Sequence, residues 1–132
     1  MDELTRKAYG LRRDVIEEVY RSSAGHVGGD LSVMDILTVL YFKVMNVSPE
    51  NWNSPDRDRF FLSKGHCADA LYIVLGEKGF FDKQEAIETF SAYGSRFIGH
   101  PNTDVPGIEI NSGSLGHGQA LGVGTALAAK MD

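Results

Sequence analysis

The chain has 132 residues, of which 42% are apolar, enough to bury one modest core in a single domain. Its 13 basic and 18 acidic residues are spread along the sequence and give a formal charge of −5, which excludes nucleic acid and anionic membranes as electrostatic partners. Cys67 is the only cysteine, the first twenty residues are charged, and no apolar run reaches the length of a membrane span, so we expect a cytoplasmic protein.

A first helix is predicted by apolar residues that recur at helical spacing, namely Leu4, Ala8, Leu11, Val15 and Val19. It should end near Gly25, and residues 25–30 are predicted to form a loop because three of them are glycines. His26 lies in this predicted loop. It is either a turn histidine bonded to a carbonyl or a catalytic group.

A second helix is predicted from Val33 to Met45, with Ser32 and Asp35 as a capping box at its start. Its residues are apolar on nearly every face, so we expect it to be buried all round. It is either an ordinary core helix or a helix with part of its surface against another subunit. Residues 46–58 follow as a loop with two prolines and three asparagines.

A strand, a turn and a helix are predicted around His66. Arg59 to Ser63 is a short apolar run bounded by turn signals, as expected for an inner strand of a parallel sheet. The following helix has its inward positions at Ala68, Leu71, Tyr72 and Leu75. His66 would then lie at the carboxyl end of a strand, where open α/β sheets bind ligands. Cys67 is either a thiolate activated by the helix terminus or, as we prefer, a small core side chain.

A long irregular segment follows a helix that ends at Gly79 and a short helix capped by Asp82. Residues 91–111 show no sustained period, but their apolar side chains argue against disorder, so we expect a functional loop. At its centre Pro101 holds His100 in an extended conformation.

A glycine-rich loop, residues 111–118, leads into an apolar run that is predicted to be a helix. Gly113, Gly116 and Gly118 allow tight turns, and the first turn of the helix presents N–H groups to an anion. Their spacing fits neither the dinucleotide fingerprint nor the P-loop. The loop is therefore either a phosphate site or a tight loop packed against its own domain.

Four histidines each lie next to a glycine or one residue from it, in Ala24-Gly25-His26, Asp56 to His66, Gly99-His100-Pro101 and Gly113 to Gly118. The order and spacing of these segments closely resemble the N-terminal, thiamine-diphosphate-binding domain of transketolases. The resemblance covers essentially all of residues 1–132. It implies an α/β fold, part of a parallel-sheet thiamine-diphosphate-binding domain that is helix-rich and has an incomplete sheet in this chain.

The resemblance also implies roles for individual residues. The residues that match cofactor contacts are His66, Gly113, Ser114 and Leu115. His26 and His100 match histidines that face the reacting carbon, where they bind oxygens of the donor sugar and assist proton transfer. His117 is a possible substrate or cofactor contact. Many single-chain transketolases have glutamine there, so this histidine is more similar to two-subunit transketolases and deoxyxylulose-phosphate synthases.

The family binds Mg²⁺ together with the diphosphate through a Gly-Asp-Gly motif and a later asparagine, and this chain ends before the corresponding strand. We therefore expect no metal ligands here, and the glutamate that activates the cofactor must come from another domain. The resemblance predicts a part of a two-subunit transketolase, an oligomer that needs thiamine diphosphate, Mg²⁺ and a complementary C-terminal subunit. Its reaction would transfer a two-carbon ketol unit from a ketose phosphate to an aldose phosphate.

Two alternatives stay open at this point. The chain is either a non-catalytic fragment or interaction module of the same fold, or part of a deoxyxylulose-phosphate-synthase-like enzyme. A histidine metal site is disfavoured because none of the four histidines shows the i, i+4 pairing of common zinc motifs.

Overall fold

A computed structural model describes residues 1–131, whose regular structure is entirely helical. The α-helices of this part of the chain are α1 (Glu3–Ser22), α2 (Val27–Val39), α3 (Ala68–Lys78), α4 (Lys83–Thr89) and α5 (His117–Ala128). A π-helical segment, Leu40–Val44, continues α2, and a 3₁₀ turn, Gly65–Cys67, precedes α3. No helix among the described residues is long and apolar enough to cross a membrane.

Helix α3 forms the centre of the core. Every residue from Ala68 to Leu75 is at most 2% exposed, and α1, α2 and α4 pack around it. Burying an aliphatic or aromatic side chain completely is worth roughly 1.5–3 kcal/mol, so this apolar run dominates the packing of the domain. The run begins directly after the 3₁₀ turn, and the position of His66 is therefore tied to the core.

The predicted amphipathic helix is confirmed as α1. Ala8, Leu11 and Val15 are buried against the core, while Arg6, Arg13 and Glu17 are exposed. Its start is capped by Asp2, which accepts a hydrogen bond of 2.9 Å from the backbone N–H of Thr5.

The predicted start of α2 is wrong, because the glycine-rich segment that was expected to be a loop forms the first turn of the helix. The carbonyl of His26 accepts the N–H of Gly29 at 2.8 Å. A Cβ added to Gly29 would lie 3.0 Å from Sγ of Cys67, so glycine here allows α2 to approach the 3₁₀ turn closely. Ser32 lies inside the helix, and Asp35 pairs with Arg12 at 2.8 Å instead of capping.

The expectation that this helix is buried all round is also wrong. Met34 and Leu37 are buried, but Ile36 is 60% exposed and Val44 63% exposed. Only one face of α2 meets the core of this chain. The opposite face leaves apolar surface uncovered.

Residues 59–63, predicted to be a strand, have no regular structure, and no strand occurs among residues 1–131. A strand is defined by ladder hydrogen bonds to a neighbouring strand, and the segment beside this one is the glycine-rich loop. Ser112 Oγ donates to the carbonyl of Leu62 at 2.9 Å, and the N–H of Gly116 donates to the carbonyl of Ser63 at 3.2 Å. The helix-rich part of the predicted fold is thus present, and a parallel sheet is not seen in the described residues.

Residues 91–111 are irregular, as predicted, and are held in place by buried side chains. Phe97 and Val105 are completely buried, and Ile108 is 7% exposed. Arg57, in the loop of residues 46–58, anchors that loop to this segment because its guanidinium pairs with Glu109. These anchors fix both ends of the segment that carries His100.

Candidate functional site

His26, His66 and His100 converge from three separate segments of the chain. The centroids of the His26 and His66 rings are 5.1 Å apart, those of His26 and His100 are 5.8 Å apart, and those of His66 and His100 are 5.0 Å apart. We refer to these residues as the histidine trio. The family resemblance implies cofactor or substrate contacts for all three residues, and the structure brings them into one cluster.

His26 is placed by a contact between the starts of two helices. It immediately precedes α2, and its backbone N–H donates to Oδ2 of Asp69 in the first turn of α3 at 3.1 Å. Gly25 has a φ of 124°, and a Cβ added there would collide with the same Asp69 carboxylate and with Val19. Glycine is therefore required for the chain to bring His26 this close to α3.

His66 lies in the middle of the 3₁₀ turn at the start of α3. Its Nδ1 atom is buried and has no hydrogen-bond partner among the described residues. Buried polar atoms are nearly always paired in folded proteins, so this unpaired ring nitrogen makes His66 a candidate for contact with a group that the described residues do not supply.

His100 is fixed by Tyr72 of α3. The Tyr72 hydroxyl lies 2.7 Å from the carbonyl oxygen of His100 and 3.0 Å from that of Ile98. Burial, followed by the charges of His66 and His26, lowers the pKa of His100. The His100 ring is thus more readily neutral near physiological pH and able to accept a proton.

The glycine-rich loop packs directly against the turn that carries His66. A Cβ added to Gly65 would lie 2.9 Å from the carbonyl oxygen of Ser112 and 3.0 Å from Cα of Gly113. Gly113 in turn borders the trio, because a Cβ there would lie 3.4 Å from Cδ2 of His100. Bare backbone therefore lines this side of the cluster.

The other residues predicted in this loop are more exposed. Ser114 is exposed and Leu115 is 68% exposed, and Gly116, with a φ of 88°, immediately precedes α5. His117, the first residue of α5, is exposed and makes no ring contact with the trio within the described residues. The fourth histidine is thus adjacent in the loop but not part of the cluster.

Three buried carboxyl groups near the trio were not predicted from the sequence. Glu18, Asp30 and Asp69 are each 0% exposed. Burial, and then the charges of the two aspartates, raises the pKa of Glu18 to about 10, and burial followed by the charge of Asp69 raises the pKa of Asp30 to about 7. In the sequence they are marked only as acidic residues within helix faces that are otherwise apolar.

The described residues contain no group of three or more His, Cys, Asp or Glu side chains that could hold a metal ion. Cys67 is a free, fully buried thiol, and burial raises its pKa. A core side chain, the interpretation preferred from the sequence, is therefore what the structure shows.

The chain belongs to the family described as the transketolase, thiamine diphosphate binding domain, whose model matches residues 5–132. Membership of this family agrees with the cluster of glycine-bordered histidines at the start of α3. Among curated proteins, the chain is similar to one subunit of the apulose-4-phosphate transketolase of Phocaeicola vulgatus, with 52% identity over 92% of this chain and 43% of that protein. A 6-deoxy-6-sulfo-D-fructose transketolase subunit of a Clostridium species is 40% identical over 98% of this chain and 47% of its own length.

Solved structures show the same fold. The transketolase from Leishmania mexicana matches with a TM-score of 0.90 and 32% identity, over 97% of this chain and 19% of that one. The transketolase from Campylobacter jejuni matches with a TM-score of 0.88 and 35% identity, over 98% and 21%. The chain spans about half the length of the curated relatives named above.

Proposed function

We propose that this chain provides the diphosphate-binding and sugar-facing histidines of a two-subunit transketolase. The observation that carries the proposal is the histidine trio, in which His66 has a buried, unpaired Nδ1 and the ring of His100 is bordered by the bare backbone of Gly113. Family membership and the subunit names of the relatives point in the same direction.

The residues present fit thiamine diphosphate. Its diphosphate needs hydrogen-bond donors, which the His66 ring and the main chain of residues 113–115 supply at the start of α3 and before α5. When bound, the cofactor would supply a nucleophilic thiazolium carbon for addition to a ketose carbonyl. A Cβ on Gly65 would crowd the backbone of the glycine-rich loop, and a Cβ on Gly113 would lie against the His100 ring.

His26 and His100 hold and move protons on the sugar. His26 presents its ring from the fixed start of α2 and donates to a carbonyl or hydroxyl oxygen of the donor sugar. His100, whose pKa is lowered, accepts the proton of a neighbouring hydroxyl and returns it later. Ketol transfer between a ketose phosphate and an aldose phosphate needs both of these actions.

The site needs groups from other polypeptide. The described residues hold no cluster of three or more His, Cys, Asp or Glu side chains for Mg²⁺, and the family resemblance assigns the metal ligands and the activating glutamate to other polypeptide. Exposed apolar side chains on α2, on the π-helical segment after it and on α5, among them Ile36, Val44 and Leu127, support a larger oligomer and coverage by a complementary C-terminal subunit. The buried free thiol of Cys67 suits a reducing cytoplasm.

Calorimetric titration of thiamine diphosphate and Mg²⁺ into the chain combined with its complementary subunit tests the proposal. His66→Ala removes a hydrogen-bond donor to a charged group, worth about 1.5–3 kcal/mol, so affinity should fall roughly tenfold to a hundredfold. His66→Gln retains an N–H donor and should recover part of the affinity.

Two outcomes contradict the proposal. Unchanged titration by His66→Ala removes this residue from the cofactor site. Absence of any cofactor binding by the wild-type complex favours a non-catalytic module of the same fold.

A further inference from the structure

The starts of α2 and α3 exchange hydrogen bonds through two buried aspartates. Asp69, in the first turn of α3, accepts the N–H of His26 at 3.1 Å, and Asp30, in the first turn of α2, accepts the N–H of Ala70 at 3.3 Å. Each helix therefore provides a carboxylate for the start of the other. The exchange joins the two helices at the point from which His26 and His66 extend.

The second oxygen of each aspartate is buried without an N–H or O–H partner in the described part of the chain. These atoms are Oδ2 of Asp30 and Oδ1 of Asp69. The two carboxyl groups lie side by side where the helix starts meet, because Asp30 accepts from Ala70, the residue that follows Asp69. Two ionised carboxylates in contact repel strongly in a dry interior, whereas one proton between them satisfies both oxygens.

We infer that Asp30 and Asp69 share a proton and form a positioning pair that holds the starts of α2 and α3 together and so sets the spacing of the His26 and His66 rings. The ring separation of 5.1 Å then depends on this pair. The effect of the aspartate pair on turnover rests on the proposed function, whereas the existence of the pair does not.

The charged surroundings of the pair determine when it loses its proton. Titratable groups act on the pair from α1, from the segment before α3 and from the two helix starts: Glu18, Lys64, Cys67 and His26. Burial, and then the charge of Asp69, raises the pKa of Asp30 to about 7, and Lys64 opposes this. The pair therefore keeps its proton in mild acid and loses it as the pH rises through about 7.

Deprotonation places two negative charges in contact and separates the helix starts. Asp30→Asn offers an amide N–H in place of the shared proton, and its oxygen still accepts from Ala70. Asp30→Leu has similar bulk but neither accepts nor donates. The two variants therefore separate the shared proton from simple filling of space.

Infrared difference spectroscopy of the complex with its complementary subunit tests the pair directly. We expect a protonated-carboxyl band that disappears between about pH 6 and pH 8, and the band should be absent in Asp30→Asn. Asp35→Asn, which changes an exposed carboxylate on the same helix, should keep it. Absence of this band from the wild-type protein overturns the inference, whatever the activity.

The pH profile of ketol transfer provides the functional measurement. Turnover of the wild-type complex should fall as the pH rises through about 7. In Asp30→Asn, turnover should depend less on pH over this range. Asp30→Leu should lower turnover roughly tenfold to a hundredfold by misplacing His26. If turnover of Asp30→Asn falls above pH 7 as steeply as that of the wild-type complex, the positioning role of the aspartate pair is overturned. A wild-type complex that shows the carboxyl band but no ketol transfer refutes the proposed function and leaves the pair standing.

Discussion

The three histidines of the trio differ in what holds them, and this difference separates their expected roles. His66 is fixed by the 3₁₀ turn and has a buried, unpaired ring nitrogen, which suits a permanently bound group. His26 and His100 are held through their backbones, by Asp69 and Tyr72 respectively, which leaves the rings to act on a substrate. Substitution should therefore affect binding at one position and turnover at the other two.

His26→Ala and His100→Ala should each reduce turnover much more than cofactor affinity. Loss of a general acid–base group typically lowers the rate about a hundredfold to ten-thousandfold. The measurements are kcat for ketol transfer and the cofactor dissociation constant, both with the complementary subunit present. If both variants transfer ketol units at the wild-type rate, the assignment of these two histidines is wrong.

At the scale of elements, the contact between the 3₁₀ turn and the glycine-rich loop holds the loop beside His66. Gly65→Ala places a methyl group 2.9 Å from the Ser112 carbonyl and 3.0 Å from the Gly113 backbone, so the loop must move away from His66. Overpacking of this kind typically costs about 1–3 kcal/mol. We expect a lower unfolding temperature and weaker cofactor binding by the reconstituted complex.

Gly10→Ala is the matched control for this substitution. Gly10 lies inside α1 and has no atom within 4 Å of an added Cβ, so the same change should stabilise the helix by up to about 1 kcal/mol. If the two variants shift the unfolding temperature in the same direction, the close packing of Gly65 does not control the loop.

Helices with a clear apolar pattern and end signals could be predicted from the sequence. The face of α1, the glycine end of α3 at Gly79 and the Asp82 cap of α4 all follow local rules and agree with the structure. The start of α2 could not be predicted, because Gly29 serves a close approach to Cys67 that only the tertiary structure reveals. The predicted strand at residues 59–63 depends on a neighbouring strand, which local sequence does not contain.

The site was predictable where its residues lie in glycine-bordered turns, and less so where they lie in helices. His26, His66 and His100 meet as expected, while His117 stays outside their cluster because it begins an exposed helix. The buried aspartates beneath them had no turn or motif to mark them. A charged residue in the apolar helix α3, such as Asp69, was the only signal.

At the scale of the whole molecule, exposed apolar side chains lie on α1, α2 and α5. In α5 only Gly118 is buried, and Val123 and Leu127 are more than half exposed. Gly118 packs against the backbone of Ser63, so α5 is attached to the domain through its first turn. Apolar surface of this extent favours contact with further polypeptide.

The last prediction is that the 132-residue chain alone neither binds Mg²⁺ and thiamine diphosphate tightly nor catalyses ketol transfer. A diphosphate carries several negative charges, and the described residues contain no cluster of ligands for the divalent ion that would balance them. His66 and the Gly113 backbone would hold the cofactor in an open site, where water and salt screen their contacts. Exposed apolar residues such as Ile36 would at the same time favour aggregation.

Calorimetry of the isolated chain with Mg²⁺ and thiamine diphosphate, repeated after addition of the complementary subunit, measures what each part contributes. We expect no saturable heat from the chain alone and a binding isotherm from the complex. If a divalent ion balances the charge of the diphosphate, the affinity of the complex should also collapse when Mg²⁺ is removed by a chelator. Micromolar, Mg²⁺-dependent binding by the chain alone would show that the trio and the glycine-rich loop suffice to hold the cofactor.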